Sequence, residues 1–193
     1  MKRYNDAINI CLTTIGESPV PSTTSIVGHY EAELADTVIG EAKTEILAEG
    51  FQFNTDDNWE LVPDTQGYIT IPADVISVDG TERGDDLIER AGKLYNKETN
   101  TYKFESTQKI SIVWDMDFDT LPIPMQSVVV AAAKIKLYTR VIGVDSMVTQ
   151  LYRELENTRS LMITEDLRSG DYSIFDDTAT TRPMNRLQNP TAL

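Results

Sequence analysis

The chain has 193 residues, a net charge of −14 and a mean hydropathy of −0.29. That length suits one domain, or one with an insertion or tail, and it can bury a core without disulfides or metals. At 40% hydrophobic and 25% charged, the composition is that of a globular protein. No apolar run reaches the roughly 18 residues of a membrane span, and Met1-Lys2-Arg3 opens onto a polar stretch rather than a signal-peptide core. The expectation is a soluble protein made in a cytoplasm. One cysteine, Cys11, excludes an internal disulfide and multi-cysteine metal sites, and one histidine, His29, leaves little for imidazole chemistry. The acidic balance repels phosphates, which argues against tight nucleic-acid binding.

The first helix is predicted over about Tyr4 to Ile15, where Ala7, Ile8, Cys11, Leu12 and Ile15 share one face. Gly16 ends it, and Pro19 and Pro21 prevent its resumption. Cys11 lies on that stripe, so it reads as a small core residue rather than a reactive thiol. A second helix runs from near Tyr30 to Glu49, with Tyr30, Leu34, Val38, Ala42 and Ile46 at steps of four and Gly50 as its stop. His29 precedes it as a surface or boundary residue.

From Phe51 the period changes to two. Strands are expected around Phe51–Thr55, Trp59–Val62, Tyr68–Ile71, Val75–Asp79, Leu87–Arg90, Leu94–Asn96, Tyr102–Phe104 and Ile110–Asp115. Within the last, Ile110, Ile112 and Trp114 face one way, Ser111 and Val113 the other. Such short strands between turn signals point to a compact antiparallel sheet, sandwich or open barrel. Residues 51–120 also hold most of the acidity, with 15 acidic against 6 basic side chains.

At Leu121-Pro122 the pattern turns helical again. Met125, Val128, Val129, Ala132 and Tyr138 belong to a helix whose run Val128–Ala133 reads as buried against other helices or subunits, which makes these five candidate subunit-interface residues. Gly143 ends it. Asp145-Ser146 then caps a long helix to about Arg168, with Met147, Leu151, Leu155 and Leu161 along it. The remainder is polar, and Tyr172, Ile174 and Phe175 are its apolar anchors, so it reads as an arm that orders on a partner. The chain is thus expected to be α+β: an α-helical bundle with an inserted antiparallel β domain and an extended C-terminal arm. The divisions are 1–50 and 121–169 for the helical parts, 51–120 for the β insertion and 170–193 for the arm.

Candidate chemistry is thin. Asp115, Asp117 and Asp119 alternate as in a calcium loop, but Thr120 stands where the turn glycine belongs and Gln126 where the bidentate glutamate belongs. The segment therefore reads as an acidic loop before a helix start. The pairs Asp56-Asp57 and Asp85-Asp86 sit among turn signals and read as surface charge; Trp59 and Trp114 read as buried anchors rather than ligand platforms. Nucleophile-elbow, phosphate-loop and dinucleotide motifs are absent from the sequence. No cofactor, metal site or catalytic residue is expected, and the chain does not read as an enzyme.

The order of elements, with six local patterns, resembles the tail tubular protein A family of short-tailed phages. These are Ala7-Ile8-Asn9 leading to Leu12; Ile15-Gly16-Glu17-Ser18-Pro19-Val20; Gly50-Phe51-Gln52-Phe53-Asn54-Thr55, with Phe51 in place of the common Trp; Gly67 to Val75 with its Pro72-Ala73-Asp74 corner; Leu94-Tyr95-Asn96; and Asp117-Phe118-Asp119-Thr120-Leu121-Pro122. The helix after Leu121-Pro122 departs from the family, which often has aromatic and arginine residues there.

The resemblance implies a structural head-to-tail adaptor in the virion. Twelve subunits would form a ring between the portal protein and the tail nozzle, tail tubular protein B. The C-terminal arm would pack on the portal, tail fibres would attach nearby, and genomic DNA would pass through the lumen without sequence-specific binding. The alternatives are a connector of another tail type, or a carbohydrate-binding or carbohydrate-degrading tail component using acidic and aromatic residues of the β region.

Overall fold

The computed structural model describes residues 3–80 and 86–169, with side chains up to residue 165. Helices α1 (Tyr4–Thr14) and α2 (Tyr30–Leu47) come first, then strands β1 (Thr55–Leu61), β2 (Val75–Gly80), β3 (Leu87–Arg90), β4 (Lys93–Asn96) and β5 (Gln108–Trp114). Helices α3 (Ile123–Val141) and α4 (Ser146–Ser169) close the described chain. The fold is α+β.

All four helices form where the 3.6-residue pattern places them. Their apolar faces meet in one core: Ile8, Cys11 and Leu12 from α1, Val38, Ile39 and Leu47 from α2, Met125, Val128 and Val129 from α3, and Met162 from α4. Asn9 ties the segment after α1 back to the helix, its Nδ2 donating to Val20 O at 3.0 Å and its Oδ1 accepting from Val20 N at 2.8 Å. Cys11 has no exposed surface, and burial pushes its thiol up to about 12, so it is core. The buried stripe of α4 is Val148, Leu151, Leu155 and Met162, not the expected series through Met147 and Leu161. The steps of three, four and seven hold one face, whereas Leu161 lies 69% exposed.

The strands make two small antiparallel sheets, one ordered β1-β5-β2 and one the hairpin β3-β4. Ile69, Ile71, Leu87, Leu94, Phe104, Ile110 and Ile112 form their own apolar cluster. Three expected strands differ. Tyr68–Ile71 and Tyr102–Phe104 carry only single bridges, to Lys93 and between Tyr68 and Lys103. Phe51–Thr55 begins as a 3₁₀ turn because Asn54 folds its side chain back onto Phe51 N at 2.7 Å.

Gly50 supplies the sharp exit from α2. Its φ is +74°, and a Cβ there would lie 3.3 Å from Thr55 Oγ1 and 3.4 Å from Val113 Cγ2, so only glycine suits both the backbone and the space. Among the described residues, no helix is long and apolar enough to cross a membrane.

Candidate assembly surfaces

The expected interface residues on α3 lie elsewhere than on a surface. Met125, Val128 and Val129 are fully buried inside the chain, Ala132 is half-buried against the same core, and Tyr138 is 8% exposed. The sequence reading left other helices or other subunits as their cover, and within the chain helices supply most of it. An α3 without charges until Lys134 is apolar because α1, α2 and α4 pack around it within one chain, and Met125, Val128 and Val129 have no exposed area. Tyr172, Ile174 and Phe175, with the rest of 170–193, lie outside the described residues, as do the paired Asp85 and the start of β3's approach.

Exposed apolar surface concentrates instead at the turn between α3 and α4. Val141 is 41% exposed, Ile142 52%, Val144 84% and Met147 36%. The turn is held rigidly. Ile142 N and Gly143 N both donate to Tyr138 O, at 2.8 and 3.2 Å. The Tyr138 hydroxyl donates to Asp145 Oδ2 at 2.8 Å, and Asp145 Oδ1 accepts from Met147 N at 2.8 Å as the cap of α4. The tyrosine bond holds the Asp145 carboxyl below its ordinary pKa and, in return, raises that of Tyr138. The available signal was Val141-Ile142-Gly143-Val144, an apolar run where polar turn chemistry is the norm.

Several cations of α3 and α4 reach carboxylates on or just past α2, or on α4. Arg140 makes a two-bond fork with Glu41, at 3.1 and 2.5 Å. Lys136 reaches Glu45 at 2.6 Å, Lys134 reaches Glu154 at 2.6 Å, and Arg159 pairs with Glu49. The Arg140 guanidinium holds Glu41 below the usual carboxylate range. Arg153, exposed on the outward side of α4, meets no carboxylate among the described residues.

An open groove of about 550 Å³ lies between the start of α1, the middle of α2 and the segment before α3. Its lining mixes Tyr4, Ile39, Gly40 and Phe118 with the polar Thr23, Lys43, Asp117, Asp119 and Thr120. Tyr4 and Phe118 meet edge to face at 5.5 Å, and the Tyr4 hydroxyl donates to Asp36 at 2.7 Å. Burial, then that bond, raises the Tyr4 pKa. At Gly40, deep in α2, an added Cβ would meet nothing within 4 Å.

The acidic segment is spread over separate jobs. Asp115 pairs with Lys43 at 2.8 Å, Asp119 accepts from Tyr4 N at 3.0 Å, and Asp117 stands exposed. Gln126, the residue that spoils the calcium pattern, is buried and donates to Phe118 O and Leu121 O at 3.2 and 3.0 Å. Among the described residues, no three His, Cys, Asp or Glu side chains converge as a metal requires. His29 is exposed ahead of α2, as expected.

Trp59 and Trp114 meet edge to face at 5.4 Å, but Trp59 is 42% exposed and Trp114 half-buried. They are rim residues of the β cluster rather than the expected buried anchors. Trp114 Nε1 donates to Asp56 at 2.7 Å, and Ser111 donates to Asp57 at 2.7 Å. That acidic pair belongs to β1 and its bulge, where Asn58 takes φ +60°, not to a turn.

Among the described residues, the surface features are an exposed apolar turn, an open groove and interhelix ion pairs. The model of the tail tubular protein family matches residues 5–172. The chain belongs to that family. It is also similar to the tail tubular protein A of Klebsiella phage KP34, with 29% identity over 186 residues, 96% of each chain. Family membership makes the chain a structural component of a phage tail, and its place is the virion tail. The family match runs through the first three helices, the β region and α4.

Proposed function

We propose that the chain is the head-to-tail adaptor of a short-tailed phage, forming a twelve-subunit ring between portal and tail nozzle. The carrying observation is the family match over residues 5–172, seconded by a tail tubular protein A that aligns over 96% of both chains. The adaptor's work is assembly. The helices shape the ring, the β region faces tail components including tail tubular protein B and the fibres, and residues 170–193 dock on the portal through Tyr172, Ile174 and Phe175. DNA leaves through the lumen, where an acidic chain repels phosphates over a Debye length of roughly 8–10 Å.

The fit to that role is physical. The chain carries a net charge of −14, suited to a channel crossed by DNA, while an exposed apolar turn stands ready for a protein neighbour. The test is to mix the purified chain with its cognate portal and measure complex mass with particle images. The expected result is a stable complex with twelve adaptors, lost on deleting residues 171–193 and weakened by Ile174→Asp with Phe175→Asp. A well-folded chain that stays apart from the portal at every salt concentration would overturn the assignment.

A further inference from the structure

We infer that one copy of the chain grips the next by seating its α3–α4 turn in the Gly40 groove, with Arg153 of the first facing Asp117 of the second. The inference rests on the ring reading above and names the surfaces that would make the ring.

Three observations converge on it. The turn is apolar, exposed and rigid, with Val144 at 84% and its backbone fixed through Tyr138 and Asp145. A pre-organised apolar tip loses little freedom on binding, which is what an inserting element needs. The groove offers the matching cavity. A glycine inside a helix is destabilising relative to alanine, and in one chain nothing occupies the space that Gly40 leaves open. A tip entering from a neighbour would fill it beside the half-buried ring of Tyr4, with Lys43, Asp117 and Asp119 around it.

Charge selects a second copy as the occupant. Chains of net charge −14 repel unless their contact avoids carboxylate against carboxylate. The outward face of α4 meets that condition: Ser146, Gln150, Arg153, Asn157, Ser160 and Thr164 recur at steps of four and three, all exposed and none acidic. Arg153 on this face meets no carboxylate among the described residues, and Asp117 in the groove is exposed. Turn and groove share no residue, so the contact is head-to-tail, the kind that repeats and closes into a ring.

The test uses two single-cysteine variants of the full chain, Val144→Cys and Gly40→Cys, oxidised alone and as a mixture at a concentration where light scattering shows assembly. Buried Cys11 does not compete. The expected result is a disulfide-linked pair of chains in the mixture and little in either variant alone. Arg153→Glu is expected to raise the half-assembly concentration roughly tenfold, and adding Asp117→Arg to the same chain to restore it. Assembly that persists with no cross-link in the mixture would overturn these surfaces while leaving the ring reading intact. A cross-link in Val144→Cys alone equal to that in the mixture would replace the head-to-tail contact by a two-fold one. No assembly at any concentration would overturn this inference and, with a negative portal mixture, the ring reading too.

Discussion

Asn54 Nδ2 donates to Trp114 O at 3.1 Å across sixty positions of sequence, and also to Leu47 O at 3.0 Å. With Asn54 Oδ1 accepting from Phe51 N, one buried amide joins the end of α2, the turn into β1 and the end of β5. The strands thus leave and rejoin the helices at one clamp. Its polar atoms are removed from water and satisfied, the condition under which such a group stabilises.

Asn54→Leu would leave two buried carbonyls and one amide without these partners, a loss of about 2–4 kcal/mol. The expected readout is a urea midpoint below that of the parent chain. Trp59 and Trp114 report on the β region by fluorescence, and the helices by far-ultraviolet circular dichroism. The two transitions are expected to coincide in the parent and to separate in the variant, fluorescence first. Coincident transitions with an unchanged midpoint would remove Asn54 from this role.

Met125 tests where the apolar side of α3 is spent. It is fully buried within one chain, so Met125→Ala is expected to cost about 2–5 kcal/mol in the unfolding of dilute, unassembled protein. Val144→Ser, at the exposed turn, is expected to leave that midpoint within about 0.5 kcal/mol while weakening assembly. The opposite pattern would return the interface to the middle of α3.

The four helices were legible because their apolar residues recur at the helical period, and Gly16, Gly50 and Gly143 follow the first three with positive φ. The faces of the β segments were legible too: Ile69, Ile71 and Phe104 are buried as alternation implies, though their backbones pair too briefly to make strands. Surfaces were harder to read. An apolar run such as Val128–Ala133 has the same pattern whether its cover is the chain's own helices or a neighbour, and only the packing of α1, α2 and α4 decides. The family patterns held residues whose reasons were invisible in one dimension: Asn9 bonds to Val20 and Asn54 to Trp114, each partner distant in sequence.

Acid is expected to loosen the same helical corner. Glu41 and Asp145 both have folded pKa values below their ordinary 4.5 and 3.8, the first through Arg140 and the second through the Tyr138 hydroxyl. A depressed carboxylate stabilises the fold above its ordinary pKa, and that stabilisation is lost as pH falls through the folded value. The melting temperature is therefore expected to fall as the pH drops below the ordinary carboxylate range, less steeply in a Glu41→Gln, Asp145→Asn double variant. Tyr138→Phe is expected to move the Asp145 carboxyl upward in a nuclear magnetic resonance titration. An unmoved carboxyl would mean the hydroxyl does not hold it.

The hairpin β3-β4 carries a correctable strain. Arg90 pairs with Lys93, so Ala91 and Gly92 are its two turn residues, with φ +55° and +74°. Two positive φ values define the turn whose twist matches the flanking strands, and asparagine is favoured at the first position. Alanine there sets its Cβ against the following carbonyl, at a cost of about 1–2 kcal/mol. The neighbouring contacts keep the turn in place regardless: Gly92 N donates to Glu89, and the Arg90 guanidinium lies 4.1 Å over the Tyr95 ring. Ala91→Asn is therefore expected to raise the urea midpoint by the equivalent of about 0.5–1 kcal/mol, with the slope of the transition unchanged. A lower midpoint would mean that the native turn prefers a backbone that alanine adopts without strain.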